Sequence, residues 1–224
     1  MYSEFINKLK AEMGNGLPGW EAQKRMAPLG RVHKQYLPGV KDKARQSGVL
    51  VWLYPSGSKI YTRLILRTEG GVHSGQVAFP GGKKEQSDGS YWNTALREAN
   101  EEVGLQADKV SMVGVLTPLY IPPSNFWVHP FIGASEKEES AIISQGEVQA
   151  YFDVNIFQLL QQDTKMEGLI MLSTGDKKIT PSYNLAGHTV WGATAMILSE
   201  LEELVRRTLA KMDDTFFITE NPEI

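Results

Sequence analysis

Glu98, Glu101 and Glu102 stand at i, i+3 and i+4, and at about 100° of rotation per residue a helix gathers their carboxylates within an arc of roughly 100°. Like charges so spaced repel by a few tenths of a kcal/mol per pair, and a divalent cation reverses the sign of that term. Oxygen-only ligands of this kind suit Mg²⁺ or Mn²⁺. Mg²⁺ in particular keeps several waters and takes its remaining ligands from substrate phosphates. The chemistry in outline is that of a phosphate site. The ordinary alternative is a solvated acidic helix on an unrelated α+β protein, which predicts no effect of divalent metal on stability.

The elements needed to present these residues can be read locally. Trp92, Ala95, Leu96, Ala99 and Val103 fill the arc beside the carboxylates, so the helix has an apolar face for a core and an acidic edge. Ser90 is the expected N-cap and Gly104 the residue just past the C-terminus. Upstream, Pro80-Gly81-Gly82 gives a tight turn that can aim backbone groups at a ligand, and Lys83 and Lys84 follow it. His73 lies in a loop without a paired nucleophile and reads as a hydrogen-bonding residue.

A chain of 224 residues fits one domain, here an N-terminal helix and irregular arm over 1–47, a core over 48–212 and a tail over 213–224. A net charge of -3 lacks the basic excess of nucleic-acid binders, which points to a small-molecule partner. The absence of cysteine excludes disulfides, thiolate nucleophiles and zinc-thiolate sites, and fits a reducing cytoplasm. The amino terminus shows no leader pattern, and the longest apolar run, Val49 to Tyr54, is far short of the ~18 residues of a membrane span. No membrane partner is expected, and a homodimer is left open.

Along the chain, Phe5, Ile6, Leu9 and Met13 predict a short amphipathic helix. Gly14 to Ser47 reads as an irregular arm. Val49–Tyr54 and Ile60–Leu66 predict an antiparallel hairpin around Pro55-Ser56-Gly57-Ser58, with Arg67 at its end. Gln76–Phe79, Val110–Leu116, Trp127–Ile132 and Val148–Phe152 are further strands. Tyr120 to Ser124 reads as a loop and Glu136 to Glu139 as solvated acidic loop. Ile156–Leu160 suits a short helix, and Leu169–Leu172 with Lys178–Tyr183 a second hairpin. Ile197, Leu201, Leu204, Val205, Leu209 and Met212 recur at helical spacing and predict a long helix after Trp191. Antiparallel pairs with few, separated helices give the class α+β.

The stretch from Gly82 to Leu105 resembles the Nudix box, G-x5-E-x7-R-E-U-x-E-E-x-G-U with U aliphatic. Arg97-Glu98-Ala99, Glu101-Glu102 and Gly104-Leu105 match its second half without a gap. Between Gly82 and Arg97 the chain has one residue more than the general pattern, and Asp88 stands at the first Glu. The extra residue and the lead-in Gly75-Gln76-Val77-Ala78-Phe79-Pro80-Gly81-Gly82 resemble the coenzyme A pyrophosphatase branch of that family. The branch's upstream signature, L-L-T-x-R-S-x3-R-x3-G, aligns at Leu64, Arg67 and Thr68, has Val72 in place of an Arg, and is one residue short before Gly75.

The resemblance implies the Nudix fold, a mixed β-sheet sandwiched between α-helices with the motif helix and the long C-terminal helix on opposite sides. It implies hydrolysis of a pyrophosphate bond in a nucleoside diphosphate linked to another group, such as coenzyme A or its derivatives. ADP-ribose and dinucleotides are alternative substrates, and a non-catalytic nucleotide-binding module on the same fold is an alternative of another class. With Mg²⁺ or Mn²⁺ as cofactor, Glu98 and Glu102 are the leading metal ligands, and Glu101 is a third ligand or the base that orients water. Glu147, on a later loop, is a further candidate base. Arg97 pairs with Asp88 or a motif glutamate, Gly81 and Gly82 can offer a carbonyl to metal, and Arg67, Gly82, Lys83 and Lys84 are candidate substrate contacts.

Overall fold

A computed structural model describes residues 1–28, 39–68, 74–138, 142–144, 146–171 and 177–212. Val72, His73, Glu139, Leu172 and the segment from Asp213 onward lie outside the described residues. The hairpin forms as β1 (Arg45–Ser56) and β2 (Lys59–Arg67), paired antiparallel from Leu53↔Thr62 to Ser56↔Lys59. β1 outruns the apolar run Val49–Tyr54 because its first half finds other partners. It pairs in parallel with β7 (Phe126–Ala134), from Arg45↔Phe126 to Leu53↔Ala134, and on its other side with β4 (Gly81–Lys83). β2 pairs along nearly its whole length with β8 (Val148–Asn155) and at its far end with β3 (Val77–Ala78), while β5 (Ser111–Val115) and β6 (Leu119–Ile121) pair with β7. The sheet is therefore mixed.

Strand alternation divides the core into two layers. Leu50, Trp52 and Tyr54 of β1 join Ile65 and Phe131 beneath Ala95, Ala99 and Val103 of α4 (Tyr91–Val103). Val51 and Leu53 point the other way, into the larger cluster with Phe5 and Leu9 of α1 (Tyr2–Gly14) and Leu201, Leu204 and Val205 of α5 (Gly192–Leu209). The motif helix and the C-terminal helix thus cover opposite faces. No helix among the described residues is long and apolar enough to cross a membrane.

The structure adds elements that local pattern does not show. The arm holds α2 (Gly19–Gln23) and α3 (Val40–Lys43), and α2 is fastened by the fully buried Glu200 of α5. That carboxylate accepts from Gly19 N, Gln23 Nε2, Thr117 N and Thr117 Oγ1. Tyr120 and Ile121 fall in a strand rather than a loop. The second hairpin gains a third strand, so β9 (Lys165–Met171), β10 (Lys177–Leu185) and β11 (His188–Trp191) form a meander. Glu138 is exposed as the sequence predicts, and it also pairs at 3.1 Å with Arg63, a side chain only 1% exposed that makes two further bonds to Asp153.

His129 of β7 locks the start of α4 to the sheet. Its ring stacks on Tyr91 at 3.9 Å, and its Nε2 lies 3.0 Å from Gln46 Oε1. Burial, followed by the nearby Lys41 charge, lowers its pKa to about 4. The unfolded chain then binds more protons than the folded one between the ordinary His value and about 4, so stability falls as pH drops through that window. Melting curves of His129→Phe, which keeps a ring against Tyr91, should show a shallower acid-side loss than the wild type. Identical slopes would contradict the assignment.

Candidate active site

α4 begins and ends as its sequence dictates. Ser90 Oγ accepts from Asn93 N at 3.1 Å, and Gly104 takes φ +71°, its N–H donating to the Asn100 carbonyl while the Leu105 N–H turns back to that of Ala99. The last turn is held by a loop remote in sequence as well: Ile142 N donates to Val103 O and Ser144 N to Glu102 O. Glu147 N in turn donates to Ser144 O, and Thr68 N to Glu147 O. These bonds carry Glu147 to the acidic edge of the motif helix. Candidate ligand oxygens of Glu98, Glu102 and Glu147 come within 4.8 Å of one another.

Each of the three has a different environment. Glu102 is 1% exposed; its Oε2 accepts from Gly81 N at 2.8 Å and its Oε1 lies 3.5 Å from Arg67 Nη1. Burial raises its pKa to about 8, and the neighbouring Glu98 and Glu147 charges add to the rise against the Gly81 amide and Arg67. Glu98 is raised by burial too, with the Arg97 contact at 3.0 Å opposing. Glu147 is exposed. Three hard oxygen donors, two of them desolvated and mutually repelling, suit one divalent cation that keeps open positions for water and phosphate.

Glu101 lies outside this group. Its side chain is 52% exposed and gives Oε2 to Arg97 Nη1 at 3.0 Å. Arg97 is the hub of the supporting network. Its Nε and Nη2 meet both oxygens of Asp88 at 3.0 and 3.1 Å, and Nη2 also reaches Glu98 and the Lys83 carbonyl. Asp88 Oδ2 further accepts from Glu85 N and Thr94 Oγ1, each at 2.9 Å. The Arg97 guanidinium, with these donors, holds Asp88 down to about 2. A shorter carboxylate than the general motif carries is thereby seated by backbone and side chain together.

Gly82 faces the site with no room to spare. A Cβ there would lie 2.4 Å from the Glu98 carboxylate. Because the obstacle is the tip of a side chain, Gly82→Ala should fold with a near-unchanged Tm yet push Glu98 aside and lower turnover at least about 10-fold. Full activity in that variant would show that Glu98 has freedom to spare. Lys83, Lys84, Glu85, Gln86, Ser87 and Glu98 line an open depression of about 750 Å³. Lys83 is exposed at this surface, whereas Lys84 donates Nζ to the Asp88 and Glu85 carbonyls. Arg67 reaches the site from the end of β2 at a register shift against β8.

The placement of Glu147 beside Glu98 rests on the Ser144 and Thr68 backbone bonds, which no local pattern announces. Thr94 and Arg63 likewise carried no sequence signal, being an interior helix Thr and a strand Arg.

Comparison with known proteins identifies the family. The family model described as NUDIX domain matches residues 44–171. A Photorhabdus laumondii protein named uncharacterized Nudix hydrolase NudL is 34% identical over 134 residues, covering 60% of this chain and 71% of that protein. A Yersinia enterocolitica protein of the same name is 34% identical over 133 residues, covering 59% and 67%. In fold, the chain is similar to the Nudix hydrolase RenU of M. smegmatis, with a TM-score of 0.52 at 14% identity over 73% of this chain and 87% of that one. With a NUDIX domain spanning more than half its length, the chain belongs to the Nudix hydrolase family, enzymes that cut pyrophosphate bonds in nucleotide derivatives.

Proposed function

We propose that this enzyme depends on Mg²⁺ or Mn²⁺ and cleaves coenzyme A or its derivatives to adenosine 3′,5′-bisphosphate and 4′-phosphopantetheine. The observation that carries the metal dependence is the convergence of Glu98, Glu102 and Glu147. The substrate class is supported by the Gly75–Gly82 lead-in and the loop one residue longer than the general motif, in which Asp88 receives Arg97. A divalent cation bound there supplies neutralisation of the diphosphate charge and a water of lowered pKa.

The chain's own residues have separable tasks in this reading. Glu98 and Glu102 are the carboxylates that hold the cation, kept in place by Arg97 and by the Gly81 amide. Glu147, exposed beside them, completes the cation's carboxylate set with one oxygen, and its other oxygen is assigned to orient the attacking water and accept its proton. Water oxygen joins one phosphorus, the bond from that phosphorus to the bridging oxygen breaks, and the bridging oxygen leaves on the other phosphate. Arg67 and Lys83 are assigned to the phosphate oxygens; the Lys84 ammonium is already engaged in holding the loop. Glu101 belongs to the Arg97 network that sets the helix edge.

The test is a panel of pyrophosphate-linked metabolites with Mg²⁺ or Mn²⁺, with products identified by mass. A charge-assisted contact to the 3′-phosphate is worth about 1.5–3 kcal/mol, so an enzyme that retains one despite Val72 favours coenzyme A over its 3′-dephospho form by roughly 10- to 150-fold in kcat/KM. Equal rates on the two would remove that contact. ADP-ribose outcompeting both would overturn the coenzyme A assignment and leave the family activity standing.

A further inference from the structure

Arg67 is the cation that faces Glu102, and its position suggests more than a fixed phosphate contact. Its backbone is pinned, with Arg67 N donating to Gln76 O and the next amide, Thr68 N, to Glu147 O, each at 3.1 Å. Its side chain is held less firmly: it is 37% exposed, and its contact with Glu102 is a single long one, Nη1 to Oε1 at 3.5 Å. Glu102 has the reverse character, 1% exposed and tied through Oε2 to the Gly81 amide. Its Oε1, which has no backbone donor among the described residues, is the more open oxygen toward the Glu98, Glu102 and Glu147 group, and it is the one that Arg67 faces.

We propose that Arg67 is the displaceable counter-ion of Glu102, moving from that carboxylate to a phosphate oxygen of the substrate when a divalent cation takes Oε1. The proposal rests on the reading of Glu98, Glu102 and Glu147 as the cation site. Two positive groups cannot share one desolvated carboxylate oxygen without loss, so the guanidinium competes with the metal before substrate arrives. Once a diphosphate is present, the released guanidinium has a doubly charged partner within reach of a pinned backbone. Substrate then strengthens metal binding, and metal strengthens substrate binding by the same factor.

This arrangement gives Arg67 opposite effects on its two ligands, which a purely structural residue does not. Titration calorimetry with MnCl₂ alone, on the full chain without nucleotide, should show Arg67→Gln binding the ion about 2- to 5-fold more tightly than wild type, the factor corresponding to loss of a partly exposed ion pair. At saturating Mn²⁺ the same variant should raise KM for the substrate about 10-fold or more, with kcat less affected. Arg67→Lys, which keeps a charge without the fork, should fall between the two in both measurements. Equal Mn²⁺ affinity in wild type and Arg67→Gln, or weaker affinity in the variant, would overturn the proposal. No Mn²⁺ binding by wild type would strike the cation site itself, and Arg67's role with it.

Discussion

Glu98→Gln and Glu102→Gln are each expected to lower turnover by at least about 100-fold, since either change removes an anionic ligand and with it part of the charge stabilisation of the transition state. Folding should survive. Glu102 is almost wholly buried beside two other carboxylates, and burial raises the pKa of both Glu98 and Glu102. Neutral Gln removes the cost of burying an ionisable carboxyl there, together with the smaller repulsion from its neighbours, so without divalent metal the variants should melt no lower than wild type, and Glu102→Gln slightly higher. Glu101→Gln is the control within the same helix. Its carboxylate is half exposed and directed to Arg97, and it should lose less activity than either. Wild-type rates in Glu98→Gln and Glu102→Gln would end the metal-site account.

Arg97→Ala is expected to behave differently, losing stability together with activity. The side chain of Asp88 is 5% exposed and relies on both guanidinium nitrogens, so truncation leaves a nearly buried carboxylate with only the Glu85 amide and Thr94 hydroxyl. Breaking such a pair from one side costs about 3 kcal/mol, which for a chain of this size lowers Tm by about 6–12 °C. Activity falls as well because Glu98 loses its positioning contact. Adding Asp88→Ala to Arg97→Ala should restore part of the lost stability, because the stranded charge goes with it. An unchanged Tm with lost activity would move Arg97 from support to substrate contact.

How much of this was legible in the residues depended on whether the cause was local. The ends of α4 are local: the Ser90 hydroxyl and the Gly104 backbone terminate it whatever surrounds it. So is the pairing of Arg97, which stands beside Glu98 and one helical turn from Glu101, though its principal partner Asp88 required the loop to fold back. Glu147 could be named as a later-loop carboxylate, but its place beside Glu98 is set by Ser144 against the end of α4 and by Thr68 from β2. The half of β1 beyond the apolar run was hidden because Arg45 to Gly48 earn their strand only through β7 and β4. The same holds for Gly81–Lys83, which reads as a turn and becomes a strand by pairing with Ser47–Val49. The arm's order comes from Glu200, a charged residue inside an amphipathic helix whose four donors lie far away in sequence.

The central claim is that Glu98, Glu102 and Glu147 together hold the catalytic divalent cation. Anomalous diffraction from crystals grown with Mn²⁺ tests it most directly, because the ion is located without reference to activity. The account predicts a manganese peak within coordination distance of oxygens from all three side chains, with Arg67 turned away from Glu102. A well-occupied peak bound by Glu101 without Glu102, or no peak at saturating Mn²⁺, would contradict it.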